Sequence, residues 1–335
     1  MSRQYKRSCQ VTLEGTGGSI NIIANEDDVG HPGMPSLRVR FHVQHAELGV
    51  PQHAEIVVYN LSEATEQKIQ KEFSTVTLKA GYEGSNAIVF KGELIQKRTY
   101  RENPVDTCIA LLAKDNDRAH NYATVSQTLP AGSTYRDQFD VCAKALKQFG
   151  VDVGFVADLG SKKMPKNRVM HGMARDLLRQ IGQSTNCAWS IQGGKLQMVK
   201  NDSFLPNGPI VLNSRTGMIG RPEQTIDGII VRCLLNPRIR PGTRVQIDQK
   251  SITQAAFSPA YTAEVNNSMI PGLAADGVYK VLFVDEDGDT RGGPWYTTST
   301  CIKATGGTLP IGLAQRGITD PTDVAGSTAN QLGGQ

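Results

Sequence analysis

The chain has 335 residues, 39% of them hydrophobic, with six cysteines, 34 glycines, 16 prolines and a formal net charge of +4. A chain of this length hides roughly three quarters of its unfolded surface and divides into two or three domains; its apolar content excludes disorder, and the lack of an apolar run of about 18 residues excludes a membrane-spanning helix. A charge of +4 over this length falls well short of a nucleic-acid-binding signature, and the basic residues at 1–9, with no apolar stretch behind them, do not read as a secretory signal.

In chain order, the first third reads as strands. Gly15, Thr16, Gly17 and Gly18 resemble a phosphate loop but lack the Lys-Ser/Thr that would follow, so they read as a hairpin tip. Residues 37–43 alternate apolar and charged, the pattern of a half-buried strand, and residues 54–59 form a more continuously buried one. Ser62 is an N-cap for a helix reaching about Phe73. Val76, Leu78, Ala80 and Tyr82 share one strand face. A turn at Glu83-Gly84-Ser85-Asn86 leads to Ile88, Val89 and Phe90, and residues 107–112 form another strand. Closely spaced strands with Gly, Asn and Pro turns predict a barrel or sandwich.

The period then changes. From Ser133, the residues Tyr135, Phe139, Cys142, Leu146 and Phe149 fall at helical spacing and Gly150 supplies a stop. A second helix is predicted over 173–181. Gly193-Gly194 is a two-residue turn that pairs Ile191 with Leu196 and Trp189 with Met198 on an apolar face, and Gln192 with Lys195 and Ser190 with Gln197 on a polar one. Strands return at 229–235, at 244–247 after a turn at Arg240-Pro241-Gly242, at 278–284 and at 295–302. The Gly-, Thr- and Pro-rich residues after Lys303 have no period and read as an extended or disordered tail.

Little in the sequence points to catalysis. The cysteines at 9, 108, 142, 187, 233 and 301 are never closer than 34 positions, whereas zinc and redox motifs need pairs two to four apart; they are expected to be reduced core residues of a protein made in the cytoplasm. The run Asp285-Glu286-Asp287-Gly288-Asp289 fails the calcium-loop pattern, with Thr290 and Tyr296 at the Gly and Glu positions, and reads as an acidic hairpin turn after a strand ending at Val284. His31, His42, His45 and His53 do not converge by any simple geometry, and no nucleophile elbow is present. Arg232, Arg238, Arg240 and Arg244 form a basic cluster without aromatic partners, suited to an ion pair between subunits as well as to phosphate. No catalytic, cofactor-binding or metal-binding residue is expected, and no enzymatic activity.

Val58-Tyr59-Asn60-Leu61-Ser62 followed by a helix and strands at 76–82 and 88–92, the stretch 234–243 (LLNPRIRPGT) and the segment 288–297 (GDTRGGPWYT) resemble, in that order along the chain, the baseplate hub proteins of contractile phage tails. The likeness covers about residues 35–302. It implies a mainly β fold with a small α+β insert, in which two tube-like β-barrel domains flank a helix-containing middle domain: 1–120 the N-terminal barrel, 121–204 the middle domain, 205–302 the second barrel, and 303–335 a flexible tail. It implies a homotrimer whose six barrels meet the hexameric tail tube protein on one face and the central spike protein on the other, beside further baseplate proteins, and that nucleates tube assembly in the host cytoplasm before becoming part of the virion. DNA would cross the channel without specific binding. Asp289, Thr290, Arg291 and Trp295 would order a turn at the end of the second barrel, with Trp295 anchoring a packed face and Arg291 bridging to an acid; Arg240 and Gly242 would belong to the Pro-Gly turn linking two strands. The competing expectations are a peptidoglycan-degrading tail enzyme and the hub of a phage-like bacterial injection machine.

Overall fold

The computed structural model describes residues 6–25, 37–47, 49–225, 227–253, 273–274 and 276–303. Its first β region comprises β1 (Arg7–Gly15), β2 (Gly18–Asn25), β3 (Val39–Ala46), β4 (His53–Tyr59), helix α1 (Glu63–Glu72), β5 (Phe73–Tyr82), β6 (Ala87–Arg101) and β7 (Thr107–Lys114). A middle unit follows, with α2 (Asp117–Tyr122), β8 (Thr124–Leu129), α3 (Tyr135–Lys147), β9 (Asp152–Val156), β10 (Arg168–Met173), α4 (Ala174–Thr185), β11 (Cys187–Gln192) and β12 (Lys195–Lys200). The second β region holds β13 (Ile210–Leu212), β14 (Met218–Thr225), β15 (Gly228–Leu234), β16 (Arg244–Ile247), β17 (Val278–Asp289) and β18 (Trp295–Lys303). The fold is mainly β, as expected, with the helices concentrated in the middle. His31 and residues 304–335 lie outside the described residues.

Local chemistry explains many of these elements. Gly15 pairs with Gly18 to close the β1–β2 hairpin. Ser62 caps α1 by accepting from Thr65 N, and at the other end Lys97 Nζ donates to the carbonyls of Ile69, Gln70 and Phe73, three groups the helix leaves without an internal partner. α3 starts at Tyr135, two residues after the Ser133 where the helical spacing begins, because Thr134 forms a reciprocal capping box with Asp137. The β11–β12 register is the predicted one, with Gly193 and Gly194 at φ +57° and +77°, the left-handed pair that a tight hairpin needs. Its second face is only partly solvated: Lys195 is exposed, but Ser190 and Val199 are buried.

Thirteen strands form one sheet in the order β14-β15-β18-β17-β3-β4-β7-β6-β5-β1-β2, with β16 on β17 and β13 on β16. The strand that joins the two regions is β17. Its start pairs with β16, from Gln246↔Val278 to Arg244↔Lys280; its remainder pairs with β3, from Phe283↔Ala46 to Asp289↔Arg40; β18 runs along its other side. Here the sequence expectation is corrected. The acidic run at 285–289 is not a hairpin turn but five more residues of strand, since β3 and β18 bond its backbone on both sides, and alternation turns Asp285 and Asp287 to the half-exposed face while Glu286 faces inward.

Three large buried clusters result. The first gathers the inner faces of β1–β7 and adds two distant residues, Leu235 and Trp295. The second lies between α3, α4 and the β11–β12 hairpin, around Phe139, Leu178 and Trp189. The third is built on Ile229, Val231, Val245, Tyr279 and Val281. All six cysteines are buried and free, and burial pushes the thiols of Cys9, Cys142, Cys233 and Cys301 up to about 12, which keeps them protonated and unreactive at neutral pH.

Candidate functional site

The predicted residues fall into two groups, one at each end of the β3–β17 pairing. The first is the turn between β17 and β18. Asp289 N donates to Pro294 O at 2.8 Å and Arg291 N to Asp289 Oδ1 at 3.0 Å, which closes the turn. Thr290 ties it to β3 twice: its amide donates to Val39 O, and its hydroxyl accepts from Val39 N, both at 3.0 Å.

The acid of this turn is bridged from just before β3, by Arg38, while the Arg291 side chain is exposed. Arg38 grips Asp289 with two parallel hydrogen bonds, Nε to Oδ1 at 3.1 Å and Nη2 to Oδ2 at 2.7 Å, while lying over the Tyr59 ring at 4.5 Å. Burial raises the Asp289 carboxyl, but the Arg38 pair and the Arg291 and Gly292 amides outweigh it and hold the group below its usual range. Arg7 adds a second clamp, donating from Nη1 to the carbonyls of Asp289 at 3.0 Å and Gly292 at 2.6 Å.

Trp295 does anchor a packed face, but in the first cluster. It meets Phe41 edge to face at 5.5 Å, with the Arg7 guanidinium 5.6 Å from its ring. The turn expected to finish the second β region thus helps complete the core of the first. Gly288 permits this approach, because a Cβ there would stand 2.2 Å from the Phe41 ring.

The second group surrounds the Arg240-Pro241-Gly242-Thr243 turn. Gly242 sits at φ +82°, with its amide bonded to Val281 O and its carbonyl accepting from Leu205 N. Arg240 reaches back across the sheet and donates to the carbonyls of Val89 at 2.8 Å and Ile88 at 2.5 Å, and to His45 Nε2 at 2.7 Å. His45 Nδ1 donates to Gln52 Oε1 at 2.6 Å, a tautomer assigned from the network, which leaves Nε2 free to accept. Glu286, fully buried, balances the guanidinium at 3.9 Å. Arg240 therefore makes its ion pair within the chain and fastens the second β region to the first.

The middle unit is fastened to the same place. Lys280 Nζ is 2.6 Å from Glu47 Oε1, both side chains buried, and also donates to Lys200 O at 3.0 Å. Trp189 covers Gly49, where a Cβ would stand 2.4 Å from the indole, and His120 stacks on that indole while donating from Nε2 to Gly49 O. Asp115, at the end of β7, accepts from Gly193 N at 3.0 Å. Burial pushes its carboxyl up to about 7, against the opposing pull of the Gly193 and Gly194 amides and of Arg240.

Local sequence reasoning missed Arg7, Arg38, His45, Asp115 and Lys280. Apart from Gln52, seven positions from His45, the partners described above stand tens to hundreds of positions away, beyond any local window of the sequence. Among the described residues, no three His, Cys, Asp or Glu side chains converge as a metal site, and no helix is long and apolar enough to cross a membrane.

Three comparisons with known proteins complete this picture. No curated protein matches the sequence. Among solved structures, the tail protein from Neisseria meningitidis MC58 shares the fold, with a TM-score of 0.54 at 11% identity over 89% of this chain and 96% of that one. The 43 kDa tail protein of prophage MuSo2 from Shewanella oneidensis aligns with a TM-score of 0.47 at 9% identity, over 88% and 98% of the two chains. The E. coli c3393 protein, a type VI secretion component described as similar to T4 tail proteins gp27 and gp5, aligns at 0.48 and 11% identity over 83% and 78%. The family model described as Baseplate hub gp41 matches residues 30–256, more than half of the sequence, and the chain belongs to that family of phage tail baseplate hubs.

Proposed function

We propose that this chain is the structural hub subunit of a contractile phage tail: a homotrimeric adaptor that joins the hexameric tail tube to the trimeric central spike, nucleates tube growth and leaves an axial channel for genome ejection. The observation that carries the reading is β17, the strand that binds both β regions into one thirteen-stranded sheet. Each protomer then offers two β units held in fixed relation. Three such protomers present six units to a sixfold tube and keep threefold symmetry for a spike, a match that three single units cannot provide. We read residues 1–120 and 205–302 as the two tube-like barrels, 121–204 as the middle domain and 303–335 as a tail; the three buried clusters support the first three, with Leu235 and Trp295 lent to the first barrel. Asp289, Thr290, Arg291, Trp295, Arg240 and Gly242 serve this design, the first four by ordering the β17–β18 turn against the first region and the last two by fastening the second region to it.

Mass photometry across a concentration series tests the reading, together with pull-down by the tail tube and spike proteins from the same genome. A particle of three chains that binds both proteins is expected. A strict monomer that binds neither refutes it.

A further inference from the structure

The positive charge of the chain is concentrated in one place. Residues 121–204 hold eleven lysines and arginines against six acids, a surplus of five, so the other 251 residues together carry a net charge of −1. Much of the surplus sits between β9 and β10, where Lys162, Lys163, Lys166 and Arg168 follow one another and no acid occurs from residue 159 to residue 175.

This loop is built rather than loose. Met164 exchanges two backbone hydrogen bonds of 2.8 Å with the Gly132 and Ser133 backbone, its amide donating to Ser133 O and its carbonyl accepting from Gly132 N. Asn167 Oδ1 accepts from Ala131 N at 2.8 Å, and Leu159 is buried. Arg168 is engaged with Gln180 Oε1. These bonds fix the backbone and leave the lysines outside: Lys162, Lys163 and Lys166 are all exposed, and among the described residues none forms an ion pair. Other cations of the chain, such as Arg38, Arg240 and Lys280, are paired.

We infer that the 160–168 loop is a docking surface for an acidic protein segment of a neighbouring tail component. The inference rests on the hub reading for the existence of such neighbours. Two observations favour a protein over a nucleic acid. The three exposed cations are lysines, point charges that suit scattered carboxylates, and no aromatic is interleaved with them in the loop; Tyr135, which shares a cleft with Met164 and Arg168, is half-buried. The middle unit also meets the β regions through Trp189, Gly193, Gln192 and Lys200, whereas the loop is held from the α3 and α4 side, by residues 131–133 and Gln180. It thus lies on a different side of the middle unit from the sheet junction.

Fluorescence anisotropy on the full chain tests this, with a labelled Glu-rich peptide and a labelled DNA duplex of matched charge as probes, at about 50 and about 300 mM salt. Circular dichroism checks the fold of each variant. The peptide is expected to bind at low salt and to bind about tenfold more weakly to K162E/K163E/K166E, as it would on losing three ion contacts. Binding should persist in K162R/K163R/K166R and in K68E/K71E, a control on α1. Unchanged peptide binding by the triple Glu variant overturns the inference, as does an equal loss in the control. Tighter binding of DNA, with a loss confined to DNA in the triple variant, overturns it in favour of a nucleic-acid surface. Particle mass recorded on the same samples separates the two readings: a trimer that ignores the peptide refutes the docking loop alone, and a monomer that binds it supports the loop while counting against the hub.

Discussion

Replacing Trp295 with Ala removes the larger of the two buried side chains, Trp295 and Leu235, that the second β region lends to the core of the first. The indole is 1% exposed. Burying a ring of this size removes about 150–250 Å² from water, worth roughly 4–6 kcal/mol at about 25 cal/mol per Å², and the edge-to-face contact with Phe41 adds about 1 kcal/mol. Part of this is recovered when neighbours relax into the space, so the expected loss is about 3–5 kcal/mol, the usual range for a buried Trp→Ala change. The chain has only two tryptophans, and Trp189 lies in the middle cluster, so in W295A the remaining indole reports the middle unit alone. Denaturant unfolding should be followed by Trp189 fluorescence and by far-ultraviolet circular dichroism. We expect circular dichroism to show the full loss and Trp189 to report an earlier transition as well, because Gly49 and Asp115 of the first region hold the middle unit. A loss below about 1 kcal/mol would show that the ring does not pack as described.

Three further outcomes follow from the junctions. For Asp115, the folded carboxyl titrates near about 7 and the unfolded one near 3.8, so the fold binds this proton more tightly than the unfolded chain does; stability should fall as pH rises from about 4 to about 7, by about 4 kcal/mol in full. D115N should flatten the dependence between pH 5 and 8 in thermal melts, and an unchanged slope would contradict the burial of this group. For Arg38 and Asp289, whose folded carboxyl lies below its unfolded value, the sign is reversed: the contribution is present above about pH 4 and lost on acidification. The double-mutant cycle R38M/D289N should return a coupling of about 1–3 kcal/mol, and additivity would remove the pair from the account. G49A should force the Trp189 indole outward and cost about 1–3 kcal/mol, visible as faster proteolysis between the middle unit and β7; a native digestion pattern would refute that contact.

The sequence was most legible where local chemistry decides structure. The Gly193-Gly194 hairpin, the Ser62 cap and the alternation through β3 all depend on residues within a few positions of one another. It was least legible along β17. Five consecutive residues bearing four acids look like a loop; they are strand because β18, the next strand, pairs with them on one side and the distant β3 on the other, pairing Asp287 with His42 and burying Glu286 beside His45. The site showed the same division. The turn residues Asp289, Thr290, Arg291, Trp295, Arg240 and Gly242 stood out from the sequence, whereas Arg38, which bridges Asp289, lies 251 positions away from it. Trp295 was expected to anchor a packed face but not the face it anchors.

The pairing of β17 with β3 has a consequence for synthesis. About 240 residues separate Val43 from its partner Glu286, and Trp295, near the end of the described chain, completes the first cluster. An N-terminal β region emerging from the ribosome would keep one flank of β3 unpaired until the last strands arrive, since domains fold in the order in which they emerge and non-local pairings close last. The same delay is a safeguard. If the subunit nucleates the tube as proposed, an assembly face finished only after β17 and β18 are in place would not start a tail from a chain that lacks them.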